Sequence, residues 1–439
     1  MTDTTITPAL GPLTGEVRLP TDKSISHRAV LVAAMAEGES DLVGVLDSAD
    51  VHATLTAVQA LGADIVLLSA GSRGLRVRVT GWGAAGPAAP SGPIDCGNSG
   101  TTARLLMGVL AGWPIEVTLT GDESLSRRPM ERVAAPLRAM GADIQTAEGG
   151  TLPVRIRGGA LRGTTHVLPV ASAQVKTALL LAGLRAEGRT AVTEPAASRD
   201  HTERMLPVFG VPVERDGLTA AVSGPTLPGG TIVVVPADPS SAAFMCAAAF
   251  LVPGSEVIMP GVSLNPGRAG FVAVLRRMGA DITIEEPLTM GEEPTATLIA
   301  RHGRPLCGTT VVADEVPALI DEVPVLALVA TQAEGVTRFE GIGELRVKES
   351  DRLELVSAGL RKLGAHVEIG SDWLEVHGPC ALHGATLSAS GDHRLAMMWA
   401  VAGLIAEGAT VIEGFEVIDV SYPAFADDLQ RLRGEAWLF

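Results

Sequence analysis

The sequence is poor in aromatic residues: 8 Phe, 5 Trp and a single Tyr make up 3% of 439 residues. That scarcity excludes the stacking platforms on which single-stranded nucleic acids are held, and it leaves small apolar side chains and 50 glycines to fill the interior. Positive charge is scarce too. Lys and Arg number 34 against 50 Asp and Glu, a formal net charge of −16, which argues against a broad basic footprint for nucleic acid or an anionic membrane. The longest apolar runs, 242–252 and 395–406, fall short of the roughly 18 residues that a membrane span needs, so no span is expected. The opening MTDTTITPAL has neither the basic nor the apolar segment of an export signal, so a cytoplasmic location is expected. Cys96, Cys246, Cys307 and Cys380 are far apart with no CxxC pair, which indicates neither a zinc site nor a disulfide framework. They read as small buried hydrophobes. G-x-S-x-G, a Walker loop, HExxH and a dinucleotide glycine motif after a strand are all missing, so covalent and nicotinamide chemistry lose ground.

What is present describes a packed chain. Hydrophobic residues make up 46% and charged residues 19%, with mean hydropathy +0.30, a balance unlike that of disordered proteins. Length alone suggests about three domains. Internal repetition suggests otherwise. An apolar helix-like run ending at Gly and passing into a β-rich run occurs six times: AEGESDLVGV (36–45), AGWPIEVTLT (111–120), AEGRTAVTEP (186–195), VPGSEVIMPG (252–261), AEGVTRFEGI (333–342) and AEGATVIEGF (406–415). After each comes an amphipathic run closed by Gly: LTAVQALGADI, APLRAMGADI, AVLRRMGADI and GLRKLGAHVEI are clear, MLPVFGVPV is weaker and LQRLRGEAW degraded. Gly there fits a helix C′ position, where φ is positive, and the alternation of VRIRG or VEIG fits a strand. Six α/β units of about 73 residues follow, too long for ordinary solenoid repeats. Helices such as RAVLVAAMA and LAMMWAVAGLIA, apolar on nearly all sides, are expected to be buried. Pro236 and Pro239 break the pattern after the third unit, so a boundary is expected at 235–240. ITPALGPLTGEVRLP, ahead of the first helix, is expected to pair with the second half.

Polar and charged residues gather where the apolar helices begin: PTDKSISHR (20–28), CGNSGTTAR (96–104), ASAQVKT (171–177), PSSAAF (239–244), EVPALIDEVP (315–324) and GDHRLAM (391–397). Helix N-termini suit phosphates and carboxylates. Capping alone could explain Ser24, Ser99, Ser172 and Ser240. It does not explain Lys23, Arg28, Arg104 and Arg394, because cations oppose the dipole there unless an anion lies between. Arg127, Arg128, Arg199, Lys348 and Arg352 add to a cationic set that suits two multiply anionic substrates. Asp321, read as lying in the apolar helix LIDEVPVL, and Glu349, beside Lys348, are the acid–base candidates. Each alone reads equally well as part of a structural ion pair.

Seven motifs in order, LPTDKSISHRA, DCGNSGTTARLL, TGDESLSRRPM, ASAQVKTALLLAG, LIDEVPVLALVA, ELRVKESDRL and GDHRLAMM, resemble the EPSP synthase (3-phosphoshikimate 1-carboxyvinyltransferase) family over essentially the whole chain. The resemblance implies the enolpyruvyl transferase fold: α/β, two domains, each of three βαβαββ units with buried helices, an inside-out α/β barrel. The halves are 21–236 and 1–20 plus 237–439, with the active site expected in the cleft between them. The implied reaction moves the enolpyruvyl group of phosphoenolpyruvate onto the 5-hydroxyl of shikimate 3-phosphate, with no cofactor and no metal, in a monomer whose partners are these two small molecules. Carried over by motif, Lys23, Ser24, Arg28, Ser172, Ala173, Gln174, Ser198, Asp321 and Lys348 would hold shikimate 3-phosphate. Lys23, Asn98, Gly100, Arg128, Gln174, Arg352 and Arg394 would hold phosphoenolpyruvate. Asp321, Glu349 and Lys23 would be catalytic. Three positions depart from the pattern. Ala173 stands where many members have Ser, His201 where some have Tyr, and Val420 where a Lys is usual, which removes one expected cation. The UDP-N-acetylglucosamine enolpyruvyl transferases are the nearest rival, but they expect Asn after the first Lys and Cys in the loop that here reads DESLSRRPM. A non-catalytic anion-binding module would not require the carboxylates.

Overall fold

The structure, a computed structural model, describes residues 3–71 and 74–434. The chain divides into two compact units, one of Thr21–Pro236 with Thr289–Glu293, the other of residues 3–20, 237–288 and 294–434. Thr289–Glu293, a piece of the stretch expected in the second half, goes with the first unit, where Glu293 Oε1 lies 2.6 Å from His201 Nδ1. Each unit has its own hydrophobic core.

The core of each unit is built on three nearly all-apolar helices: Lys23–Met35, Gly100–Ala111 and Ala173–Gly183 in the first, Pro239–Leu251, Val323–Ala330 and His393–Gly403 in the second. Five start on a capping side chain that accepts an N–H of the first turn, which satisfies a donor the helix leaves unpaired. The caps are Asp22, Ser99, Ser172, Asp238 and Asp392. Ser24 and Ser240, expected as possible caps, lie inside the first turn instead. Small residues let the helices approach closely. A Cβ on Gly108 would lie 2.1 Å from the Ala178 carbonyl oxygen, so only Gly fits where Gly100–Ala111 crosses Ala173–Gly183.

The second helix of each repeat is amphipathic and ends at a glycine of positive φ: Gly62, Gly141, Gly210, Gly279, Gly364 and Gly434, between +67° and +115°. Strands follow, with Val154 and Ile156 buried and Arg155 and Arg157 outward. Three of the sheets are complete within one repeat. In one, Ile94–Asp95 pairs parallel with Glu116–Thr120, which pairs antiparallel with Val154–Arg157, which pairs with Asp143–Thr146. The first and fourth repeats borrow their parallel strand: Ile232–Val234 joins Glu39–Val45, and Thr14–Glu16 joins Glu256–Ser263. Thr4–Ile6 pairs antiparallel with Thr410–Glu413 in a three-stranded sheet of the sixth repeat. The end of the motif LQRLRGEAW, residues 435–437, lies outside the described residues.

The six sheets are separate and open, so among the described residues no closed barrel forms. Among those residues no helix is long and apolar enough to cross a membrane. Cys96 and Cys246 are buried, and burial pushes both thiols up to about 12. Cys307 is exposed and Cys380 partly so, against the expectation that all four are buried.

Candidate functional site

In the first unit the motif residues converge from three helix N-termini and two loops. Lys23 Nζ lies 3.0 Å from Asp50 Oδ2, an ion pair mostly shielded from water. Arg28, 2% exposed, donates from Nε to Thr202 Oγ1 at 2.9 Å, from Nη2 to Thr177 Oγ1 at 3.0 Å and from Nη1 to the Ser24 carbonyl at 3.0 Å. All three acceptors are neutral. Burial, with Arg199 nearby, pushes the pKa of Arg28 down to about 10. A buried guanidinium bonded only to neutral oxygens is suited to an anion.

Asn98 is oriented at both ends, donating from Nδ2 to Asp122 Oδ2 at 2.6 Å and accepting at Oδ1 from Arg128 Nη2 at 2.6 Å. Gly100 opens the helix Gly100–Ala111. A Cβ at that position would lie 3.0 Å from Arg104 Nη1 and 3.4 Å from Arg128 Nη1, so Gly keeps room between two guanidiniums. Arg104 Nη1 donates to Gln174 Oε1 at 2.7 Å, and Gln174 Nε2 donates to Thr101 Oγ1 at 3.0 Å, which fixes the amide. Ala173, the first residue of its helix, presents a backbone N–H only. Glu194 organises this corner. It accepts from the Ser172 N–H at 2.9 Å, lies 2.7 and 2.9 Å from the Ser198 hydroxyl, and pairs with Lys176 at 2.6 Å. Burial disfavours the Lys176 charge, but Glu203 and Glu194 outweigh it and hold its pKa above the ordinary value.

In the second unit a single guanidinium gathers three carboxylates. Arg352, 1% exposed, donates from Nε to Asp392 Oδ2 at 2.7 Å, from Nη1 to Asp321 Oδ1 at 3.1 Å and from Nη2 to Glu349 Oε2 at 2.6 Å. Burial opposes its charge, yet Asp392, Glu349 and Asp321 together hold its pKa above the ordinary value. Lys348 Nζ lies 3.3 Å from Asp321 Oδ1. Arg394 Nη1 donates to the Asp321 carbonyl at 3.2 Å and to Glu322 Oε1 at 3.4 Å. Ser240 donates to Glu322 and accepts from Arg268 Nη2 at 2.7 Å, so it braces the partner of Arg394.

Asp321 is not in a helix. It sits in the turn before Val323–Ala330, 8% exposed. Pro324, which has no N–H, stands in the first turn, where that donor would be unpaired anyway, and the helix starts after Asp321. Of the departing positions, His201 is buried against Glu293, and Val420 ends the 3₁₀ turn Phe415–Val420. Asp50, Asp122, Glu194 and Asp392, which orient the motif side chains, were missed at the sequence level. Asp392 had a local signal, an Asp just ahead of an apolar helix; for the others the partners come from distant segments.

A profile of the EPSP synthase (3-phosphoshikimate 1-carboxyvinyltransferase) family matches residues 8–429. The 3-phosphoshikimate 1-carboxyvinyltransferase of Bacillus cereus (strain G9842) is 47% identical over 98% of this chain and 100% of its own length. That of Bacillus anthracis is 48% identical with the same coverage. Among solved structures, EPSP synthase from Acinetobacter baumannii superposes with a TM-score of 0.87 at 41% identity, covering 98% of each chain. The enolpyruvyl transferase NikO from Streptomyces tendae, at 19% identity, covers 98% of this chain and 97% of its own with a TM-score of 0.79, a likeness of fold.

Proposed function

The chain belongs to the EPSP synthase (3-phosphoshikimate 1-carboxyvinyltransferase) family, and we propose that its two clusters of motif side chains serve one reaction. That reaction transfers the enolpyruvyl group of phosphoenolpyruvate to the 5-hydroxyl of shikimate 3-phosphate and releases phosphate, in the shikimate pathway to chorismate and the aromatic amino acids. We take the working unit to be a cytoplasmic monomer.

The observation that carries the assignment of roles is the sharing of Arg352 by Asp321 and Glu349. Both carboxylates assigned to acid–base work are thereby held by one side chain, and Lys348 and Arg394 beside Asp321 add to the positive charge an anionic donor requires. Asp321 accepts the proton of the 5-hydroxyl as its oxygen attacks C2 of phosphoenolpyruvate, and Glu349 with Lys23 delivers a proton to C3. The result is a tetrahedral intermediate. Return of a C3 proton to the protein and departure of phosphate leave the enol ether.

Most of the remaining work is positioning and charge neutralisation. Two anions repel, and fixed guanidiniums with the N–H groups of helix starts offset that repulsion without rearranging during the reaction. Lys23, Ser24, Arg28, Ser172, Ala173, Gln174, Ser198 and Lys348, with Asp321, are assigned to shikimate 3-phosphate. Lys23, Asn98, Gly100, Arg128, Gln174, Arg352 and Arg394 are assigned to phosphoenolpyruvate. Ala173 contributes a backbone N–H alone.

Purified protein given both substrates should release phosphate in step with loss of phosphoenolpyruvate and form an ether at the 5-oxygen visible by NMR. Release from phosphoenolpyruvate alone, or none with both substrates, overturns the reading.

A further inference from the structure

Away from these clusters, three side chains gather on one face of the sheet of the fifth repeat. Strands His366–Ile369 and Leu374–Gly378 run antiparallel, with His366 opposite His377 and Glu368 opposite Glu375. Residues two apart on a strand share a face, and so do residues directly opposite each other. His366, Glu368 and His377 therefore point the same way. His366 Nε2 lies 3.5 Å and His377 Nε2 3.8 Å from Glu368 Oε1, and one ligand atom from each of the three residues falls within 4.8 Å of the others.

Zinc bonds of about 2.0–2.1 Å to nitrogen and oxygen in a tetrahedron give ligand-to-ligand edges of about 3.4 Å. Two of the three edges are nearly at that length. The two imidazoles are stacked with centroids 4.2 Å apart at 19°, so their in-plane lone pairs run side by side, and both rings have to turn about the Cβ–Cγ bond for the third edge to close on a shared ion. A second observation points the same way. His377 Nε2 is shielded from solvent and makes no hydrogen bond, an unfavourable state for a ring nitrogen that coordination relieves. The neighbouring cation does not compete, since Arg338 is paired with Glu340 and Glu375 and lies over the Trp373 ring.

We propose that His366, Glu368 and His377 bind one Zn²⁺ ion, with water as the fourth ligand. Two imidazoles and one carboxylate suit zinc over magnesium or calcium, which prefer all-oxygen sites. His366–Ile369 is the edge strand of its sheet, and edge strands are where sheets fray or pair wrongly. The ion clips this strand to its neighbour and takes no part in the transfer reaction.

Equilibrium dialysis of the full chain against Zn²⁺, with metal analysis and thermal melts, tests this. The wild type should hold about one equivalent and melt at a higher temperature with zinc, since a ligand bound only by the folded state stabilises it. Cobalt in place of zinc should give the visible absorption of a tetrahedral site. The double variant His366→Asn/His377→Asn should bind at least about 10–100-fold more weakly, the loss that even outer-shell partners produce, with unchanged transferase activity. Glu368→Gln, which keeps both rings, should weaken binding and abolish the cobalt spectrum, so a misfolded double variant does not remove the test. No stoichiometric zinc, or the same zinc content in both variants, overturns the proposal.

Discussion

Arg352 donates to Asp321 at 3.1 Å while its other nitrogens hold Glu349 at 2.6 Å and Asp392 at 2.7 Å. Asp392 also caps the helix that carries Arg394. One side chain thus fixes both carboxylates proposed for acid–base work and, through the cap, the start of the helix bearing the next guanidinium.

Arg352→Ala leaves Asp392, 0% exposed, without its ion-pair partner. Breaking a buried pair on one side costs about 3–5 kcal/mol, which urea unfolding should show as a lowered midpoint. Arg352→Lys keeps the charge but not the three-way fork, so stability should fall less while turnover still drops. An unchanged midpoint in the Ala variant contradicts the structural part of this role.

Arg28 bonds only to neutral oxygens, so its charge is assigned to shikimate 3-phosphate. Arg28→Gln removes a charged hydrogen bond of about 1.5–3 kcal/mol, or about tenfold to a hundredfold in KM for that substrate. The KM for phosphoenolpyruvate should move less. Equal rises in both would contradict the assignment.

Gly100→Ala places a methyl 3.0 Å from Arg104 Nη1 and 3.4 Å from Arg128 Nη1. Both neighbours are ends of flexible side chains, so the fold should tolerate it. Crowding of about 1–3 kcal/mol should appear as a KM for phosphoenolpyruvate raised by about tenfold, with the melting temperature nearly unchanged. A normal KM would place the donor elsewhere.

His27 is buried with Nδ1 2.6 Å from Thr54 Oγ1, itself 2.6 Å from Thr102 Oγ1, and burial lowers its pKa from 6.5 to about 3. Between those values the unfolded chain binds a proton that the folded chain does not. Stability therefore falls as pH drops from about 6.5 towards 3, by up to about 1.4 kcal/mol per pH unit from this residue, and His27 adds no slope above that window. His27→Gln should flatten this part of the acid limb in denaturant titrations at several pH values. An identical limb in the variant would contradict the buried neutral imidazole.

Periodicity made the helix pairs and their closing glycines readable, because the positive φ just past a helix end, as at Gly62 and Gly364, favours Gly. Caps were less readable. Asp22 and Asp238 precede the serines by two residues, and a cap is defined by where the helix starts, which the apolar pattern locates only to within a residue or two. Asp321 reads as helical because LIDEVPVL is apolar throughout, although Pro324 already marks a first turn. Asp50 and Glu194 carry no local sign of their partners: one meets Lys23 from 27 residues away and the other meets Ser172 from 22. The strands Thr14–Glu16 and Ile232–Val234 complete sheets in repeats distant in sequence. Such closures depend on tertiary packing that no single repeat encodes.

The most direct test of the account is the kinetics of Asp321→Asn, which keeps the shape of the side chain beside Arg352 and Lys348 but removes the proposed base. Phosphate release should show kcat reduced by about a hundredfold or more, with both KM values within a few-fold of wild type. An unchanged kcat would contradict Asp321 as the acceptor of the 5-hydroxyl proton.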